Sequence, residues 1–220
     1  MTEAWSSPVT ASALLLGEGR PWFVAPLLCG GAYALGSIPT GLWVARTRGV
    51  DIRRVGSGNI GATNVARALG RRSAIVVLVV DVLKGFLPVF LVARALPRWL
   101  GEANPALVAW VGLFAIVGHM FTFFLRGHGG KGVATSLGVA FGLSPPVALA
   151  ALAIYVVTYA LTRISSLGSL LGIWAFPVVA LGAARLPRPY VALSLACAVL
   201  VTWRHRDNLR RLARGQEYRS

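Results

Sequence analysis

Ser73-Ala74-Ile75-Val76-Val77-Leu78-Val79-Val80-Asp81-Val82-Leu83-Lys84-Gly85-Phe86-Leu87-Pro88-Val89-Phe90-Leu91-Val92-Ala93-Arg94-Ala95-Leu96 is the stretch on which the fold turns. About 20 largely apolar residues suffice to cross a bilayer as a helix. This run reaches that length with Asp81, Lys84 and Arg94 as its ionisable residues. Asp81 and Lys84 are three apart and share one helix face. Ionisable groups inside a span are costly and usually functional. Here they can also neutralise one another, so structural pairing is as good a reading as direct chemistry.

Outward from this run, further apolar segments follow one another. They lie at about Trp22–Val44, Ala106–Leu125, Val133–Leu143, Val147–Leu161, Leu167–Ala184 and Tyr190–Trp203. The first contains the break Gly36-Ser37-Ile38-Pro39-Thr40-Gly41, which is tolerated in a membrane where it is buried or lines a cavity. Val133–Leu143 and Val147–Leu161 are short and are expected to be tilted, broken or re-entrant. The whole chain is 56% hydrophobic and 13% charged, with mean hydropathy +0.68, against about 25% charged residues in an ordinary soluble domain. The expected fold is an all-α integral membrane protein of about seven transmembrane helices. Residues 1–21 read as a flexible lead, 22–203 as one transmembrane domain and 204–220 as a basic tail contributing to the site. Cys29 and Cys197 fall inside apolar spans, where packing explains them better than a disulfide or a metal.

A net charge of +15 raises the question of nucleic acid. The basic residues instead sit in the links between spans and in the tail, with no soluble basic domain, so no nucleic-acid partner is expected. Positive charge gathers on cytoplasmic links. With seven spans and the N-terminus outside, sixteen of the 22 Lys and Arg fall on the inner side and five (Arg20, Arg94, Arg98, Arg185, Arg188) on the outer. The C-terminus is then cytoplasmic, and the protein belongs in the cell membrane, multi-pass.

Three polar links share that inner face. Val55-Gly56-Ser57-Gly58-Asn59-Ile60-Gly61-Ala62-Thr63-Asn64, closed by Arg67, packs three glycines among four small polar residues. Glycines let backbone approach a ligand, and successive N–H groups can cradle an anion. Ser57, Asn59, Thr63 and Asn64 add hydroxyls and amides, and Arg67 adds a bidentate fork. Gly127-His128-Gly129-Gly130-Lys131-Gly132 repeats the theme just before a helical segment, where the dipole favours an anion. Its spacing is not that of a Walker loop. The third link is Ser165-Ser166-Leu167-Gly168-Ser169. The tail, Arg204-His205-Arg206-Asp207-Asn208-Leu209-Arg210-Arg211, reads as a basic amphipathic helix.

Taken together these segments resemble the bacterial acyl-phosphate:glycerol-3-phosphate acyltransferases. Gly56–Arg67 is similar to the first motif of that family, Gly129–Thr135 to the second and Ser165–Ser169 to the third. Asp81–Val89, Gly118-His119 and Arg204–Asn208 match further positions. The resemblance implies a seven-span membrane enzyme working on the cytoplasmic side. It would move a fatty acyl group from acyl phosphate to the 1-hydroxyl of glycerol 3-phosphate, giving lysophosphatidic acid, without metal or organic cofactor. The partners it implies are these two substrates, the bilayer, and a soluble enzyme supplying acyl phosphate. It assigns Ser57, Arg67, Lys131, His205 and Asn208 to glycerol 3-phosphate and catalysis. Asn59, Thr63, Asn64, the Gly129, Gly130 and Gly132 backbone, Ser166 and Ser169 would hold the donor. Where the family usually carries an aromatic residue and a lysine, this chain has Gly127 and His128.

The chemistry suits the residues. Acyl phosphate is a mixed anhydride with a good leaving group, so the protein must chiefly hold two anions together. Arg67 and Lys131 supply counter-charge. Neither a Ser-His-Asp order nor a His-x4-Asp pair is evident, since Phe124 stands where the Asp would follow His119. A donor phosphate oxygen is the favoured acceptor of the hydroxyl proton, with His205 orienting. The rival is His205 as general base, which would show an ionisation near ~6.5 if unperturbed. A transporter for a phosphorylated metabolite is the alternative from another class, resting on Asp81–Lys84 and the broken helices. A structural membrane subunit is a third.

Overall fold

The computed structural model describes residues 23–95 and 104–219. The expected lead at 1–21, Trp22, Arg20, Arg98 and most of the link at 97–105 lie outside the described residues. Among the described residues every regular element is helical. The α-helices are α1 (Val24–Ser37), α2 (Thr40–Arg46), α3 (Ala62–Phe90), α4 (Pro105–Met120), α5 (Val133–Leu143), α6 (Pro145–Thr162), α7 (Ser165–Leu181), α8 (Arg188–Arg204) and α9 (Arg206–Ala213). Within the described residues each segment expected to span falls on helix, the first of them on two, α1 and α2. Among the described residues four stretches are long and apolar enough to cross a membrane: Val24–Arg46, Ala62–Ala95, Pro105–Leu125 and Pro145–Thr162. α5 and α7 are shorter apolar helices, and α8 has arginine at both ends.

The break between α1 and α2 is built around Pro39. Proline lacks an N–H and cannot continue the helical ladder. The carbonyls this frees are taken by side chains from elsewhere. Thr122 Oγ1 donates to Ser37 O, and Lys84 Nζ donates to Ile38 O at 2.5 Å.

One expectation is corrected. The first polar link, Val55–Asn64 closed by Arg67, does not stay a loop to its end. Asp51 caps a 3₁₀ turn at Ile52–Arg54, and the chain is already helical from Ala62. Gly70, at φ 80° and ψ 175°, then kinks α3. Thr63, Asn64 and Arg67 therefore stand on the first turns of a helix rather than in a loop. The intrinsic signal was weak because small polar residues favour caps and turns as readily as helices.

Small residues bring the helices close, as in lipid, where packing replaces the hydrophobic effect. α3 and α5 meet at reciprocal glycines: a Cβ on Gly85 would overlap Thr135 O, and one on Gly138 would overlap Val82 O. α1 and α4 meet the same way, Gly36 against Ala115 and Gly118 against Tyr33. The buried core includes Ile116, Met120, Val139, Phe176 and Val201. Large apolar side chains also cover the outside, among them Ile75, Val79, Val157, Leu161 and Val178. That outward belt is what a hydrocarbon solvent requires.

Candidate active site

The first polar link is held by Asn64. Its Oδ1 accepts from the Ser57 N–H at 3.0 Å, and its Nδ2 donates to Val55 O at 2.9 Å and Ile52 O at 3.3 Å. Asn64 thus uses its amide to fold the link. Asn59 does likewise, Oδ1 accepting from the Gly61 N–H at 2.8 Å. Gly56 and Gly58 have φ of 55° and 69°, which side-chain-bearing residues rarely adopt. The result presents Ser57, then Thr63 and Arg67 from α3, to one cavity.

The second link is tied differently from the expected nest. The N–H groups of Gly129 and Gly130 donate to Met120 O and His119 O, each at 3.0 Å. Their carbonyls accept from Arg204, Nη2 to Gly129 O at 2.7 Å and Nε to Gly130 O at 3.1 Å. These two glycines lend closeness to α4, not free N–H groups. Donors for an anion lie one step on, where Gly132 caps α5 in the left-handed region. Val133 and Ala134, in the first turn, line the cavity, and first-turn N–H groups have no intrahelical acceptor.

In the third link Ser165 links three helices. Its Oγ lies 3.2 Å from Thr63 Oγ1 and 3.2 Å from Tyr155 OH. Ser169 Oγ donates to Ser165 O at 2.8 Å. Ser166 Oγ is buried without a hydrogen-bond partner among the described residues, and its residue lines the cavity. A buried unpaired hydroxyl costs about 1–3 kcal/mol, so a bound ligand's oxygen would relieve it.

The tail closes the head of the site. Lys131 Nζ donates to Asn208 Oδ1, Asn208 Nδ2 to Glu217 Oε1 at 2.7 Å, and Arg211 Nε to Glu217 Oε2 at 2.8 Å. The Arg67 and Arg211 guanidinium carbons stand 5.0 and 5.2 Å from the Tyr218 ring centroid. His205 Nδ1 lies 2.8 Å from Val201 O. A carbonyl can only accept, so Nδ1 carries the proton and, in the neutral ring, Nε2 is left as an acceptor.

The resulting cavity holds about 340 Å³. Ser57, Arg67, Lys131, His205 and Asn208 form its polar head, while Leu137, Ala140, Leu152, Ile173 and Phe176 line its apolar depth. The N-termini of α3, α5 and α7 all face it, and their dipoles favour negative charge there. Burial pushes Lys131 down to about 8, with Arg211, Arg67 and Arg204 acting the same way and Glu217 opposing. Burial, then the charge of Lys131, pushes His205 down to about 4. At neutral pH, Lys131 is mostly a cation and His205 is neutral. Among the described residues no group of three or more His, Cys, Asp and Glu gathers to hold a metal ion.

Of the residues expected at the site, all but Gly129 and Gly130 line this one cavity; Gly129 borders the adjoining basic cleft with Arg53, His128 and Arg206. Departures in the second link fit the backbone: Gly127 has φ 84°, and His128 is exposed beside Leu125 O and Arg126 O. Sequence reasoning missed Arg204, Ser165, Tyr155 and Glu217. Glu217 carried a signal, since it and Asp207 are the two acids in an otherwise basic tail.

Residues 26–215 match the family model described as glycerol-3-phosphate acyltransferase. A glycerol-3-phosphate acyltransferase of Geobacter sulfurreducens is 53% identical over 188 residues, 86% of this chain and 93% of that protein. One of Thermus thermophilus is 50% identical over 190 residues, 86% and 91%. Among solved structures, the glycerol 3-phosphate form of PlsY, an integral membrane glycerol 3-phosphate acyltransferase, superposes with a TM-score of 0.83 at 38% identity, covering 89% of this chain and 95% of that one. Its lysophosphatidic acid form gives 0.80 at 37%, covering 89% and 94%.

Proposed function

This chain belongs to the glycerol-3-phosphate acyltransferase family of integral membrane enzymes, and from that premise we propose that it uses acyl phosphate as donor, acylates the 1-hydroxyl of sn-glycerol 3-phosphate, and releases lysophosphatidic acid and phosphate. The observation that carries this reading is the division of the cavity. A cationic head ringed by three helix N-termini runs directly into an apolar depth. That is the shape of a phosphate joined to an alkyl chain, with room at the head for a second anion. The lysophosphatidic acid form of the neighbouring structure is of the same chemical type.

The 1-hydroxyl oxygen attacks the acyl carbon, an ester C–O bond forms, and the bond from the acyl carbon to the phosphate oxygen breaks. The hydroxyl proton leaves with the phosphate, on one of its oxygens. Lys131 and Arg67 offset the repulsion between two anions, and oriented N–H dipoles stabilise charge without reorganising. Holding the reactants together contributes up to ~7–11 kcal/mol of the barrier. Neutral His205, its Nδ1–H fixed on Val201 O, offers Nε2 to the 2-hydroxyl of glycerol 3-phosphate and so aligns the substrate, leaving the 1-hydroxyl proton to the phosphate oxygen. Ser57 and Asn208 complete the glycerol 3-phosphate seat; Thr63, Ser166, Ser169 and the Gly132 end of α5 hold the donor, with Asn59 and Asn64 shaping the first link.

Seven crossings, with residues 22–203 as one domain, bring the ends of α2, α4, α6 and α8 to the site side. The basic residues concentrated there argue for a cytoplasmic face. The test uses purified protein with acyl phosphate. Phosphate release only when glycerol 3-phosphate is present, with lysophosphatidic acid formed, supports the reading. Equal turnover with an acyl thioester donor would overturn it.

A further inference from the structure

The mechanism leaves one buried polar cluster unused. Asp81 and Lys84, both on α3, are 3% and 2% exposed. Lys84 Nζ donates to Asp81 Oδ1 at 2.6 Å and to Ile38 O at 2.5 Å. The Lys84 side chain therefore joins the broken end of α1 to α3. Asp81 Oδ1 in turn faces His119 Nδ1 at 3.9 Å, a distance for charge–dipole attraction rather than a direct hydrogen bond. Asp81 and His119 both line the cavity.

His119 is joined to the second link in two ways. Its carbonyl accepts from the Gly130 N–H at 3.0 Å. Its Nε2 stands where a Cβ on Gly130 would lie. The residue after Gly130 is Lys131. An unbroken chain of contacts thus runs from Ile38 O through Lys84, Asp81 and His119 to the backbone beneath the ammonium at the cavity head. Replacing a buried ion pair by apolar groups is often neutral or stabilising, so stability alone does not explain a charged pair in this place.

We propose that His119 is a positioning residue for acyl transfer, braced by the Asp81–Lys84 pair, and that the three together set the seat of Lys131. The proposal rests on the reading that Lys131 acts on the substrates' phosphates. His119 itself touches the loop, not the reacting atoms. Lys131 is also faced by Arg67 from α3, Arg204 and His205 at the end of α8, Asn208 and Arg211 from α9, and Glu217 from the tail. Of these, Arg204 also feels the charge state of His119 and donates to the Gly129 and Gly130 carbonyls.

The test compares His119→Phe, which keeps the bulk, with His119→Asn, which returns a polar group near the Nδ1 position, and with the charge-neutral pair Asp81→Asn/Lys84→Met. The chain has two lysines, Lys84 and Lys131, so competitive amine labelling against pH, read on the Lys131 peptide to keep the N-terminal amine out of the signal, follows Lys131 without needing turnover. The wild-type midpoint is expected near about 8. In His119→Phe and in the double variant it should move up towards ~10.4, the ordinary lysine value, as water reaches a loosened loop. The kcat should fall about 10- to 100-fold, the cost of a small misplacement, with both KM values near wild type. His119→Asn should recover most of both. A wild-type labelling midpoint with wild-type kcat in folded His119→Phe overturns the proposal, as does a loss confined to protein yield. Wild-type protein that transfers no acyl group overturns the function proposed above instead, and the labelling midpoints still decide the brace.

Discussion

The Lys131 ammonium donates to the side-chain oxygen of Asn208, 77 residues further along the chain. An ammonium only donates and the Glu217 carboxylate only accepts, so between them they fix which way the Asn208 amide faces. The cation at the head of the cavity is thus aimed by a residue of the tail helix.

Lys131→Ala and Arg67→Ala are each expected to lower kcat/KM by more than ~10²-fold, the scale of removing one oriented stabilising group, while the protein still inserts. Lys131→Arg should recover little, because a planar fork does not fit where a compact ammonium meets Asn208. Phosphate release at matched membrane levels measures this. Near-normal turnover in either alanine variant would remove that residue from the site.

The pH profile should be broad. Lys131 loses its proton as pH rises through about 8, so activity falls on the alkaline side. His205 gains a proton as pH falls through about 4, so activity falls on the acid side only well below the ordinary histidine range. His205→Asn should remove the acid limb, leave the alkaline one, and raise KM for glycerol 3-phosphate more than it lowers kcat. A kcat collapse of ~10²–10⁴-fold at unchanged KM would identify His205 as a general base.

Gly138→Leu should abolish folded protein, because the added side chain enters the carbonyl of Val82 on α3. Gly30→Leu is the matched control, with no atom of the described residues within 4 Å of its added Cβ. Detergent-solubilised yield and thermal unfolding report the difference. Equal yields would mean that α3 and α5 are not packed as described.

Cysteines placed at Ser57 and Arg214, in a background lacking Cys29 and Cys197, should be labelled from the same side of the membrane. Opposite sides would break the alternation of crossings and separate the tail from the first link.

Much of this was legible in the sequence because membrane helices advertise themselves by length and apolarity. The expected Val133–Leu143 segment is the helix found, and the Pro39 break was visible as a break. Ala62–Leu69 was not legible as helix: its Thr63 and Asn64 read as turn residues, and only tertiary bonds from Asn64 to Ile52 and Val55 settle the matter. The cationic members of the site were also legible, since Arg67 and Lys131 stand among glycines. What each glycine does was not. Gly129 and Gly130 look like an anion nest until the carbonyls of His119 and Met120 are found on their N–H groups. Partners that distant leave no local trace.

The tie between Lys131 and Asn208, with Glu217 behind it, sets an order on biogenesis. A nascent chain emerges from its N-terminus, so Ser57 and Lys131 are in the membrane well before Glu217 leaves the ribosome. Until then the head of the cavity lacks its Asn208 contact and the Glu217 carboxylate. A stalled or clipped chain would carry bare cations in an incomplete pocket. Competence for turnover would therefore arrive only once Glu217 has been made, and cleavage of the chain between Asn208 and Glu217 would silence an otherwise inserted enzyme.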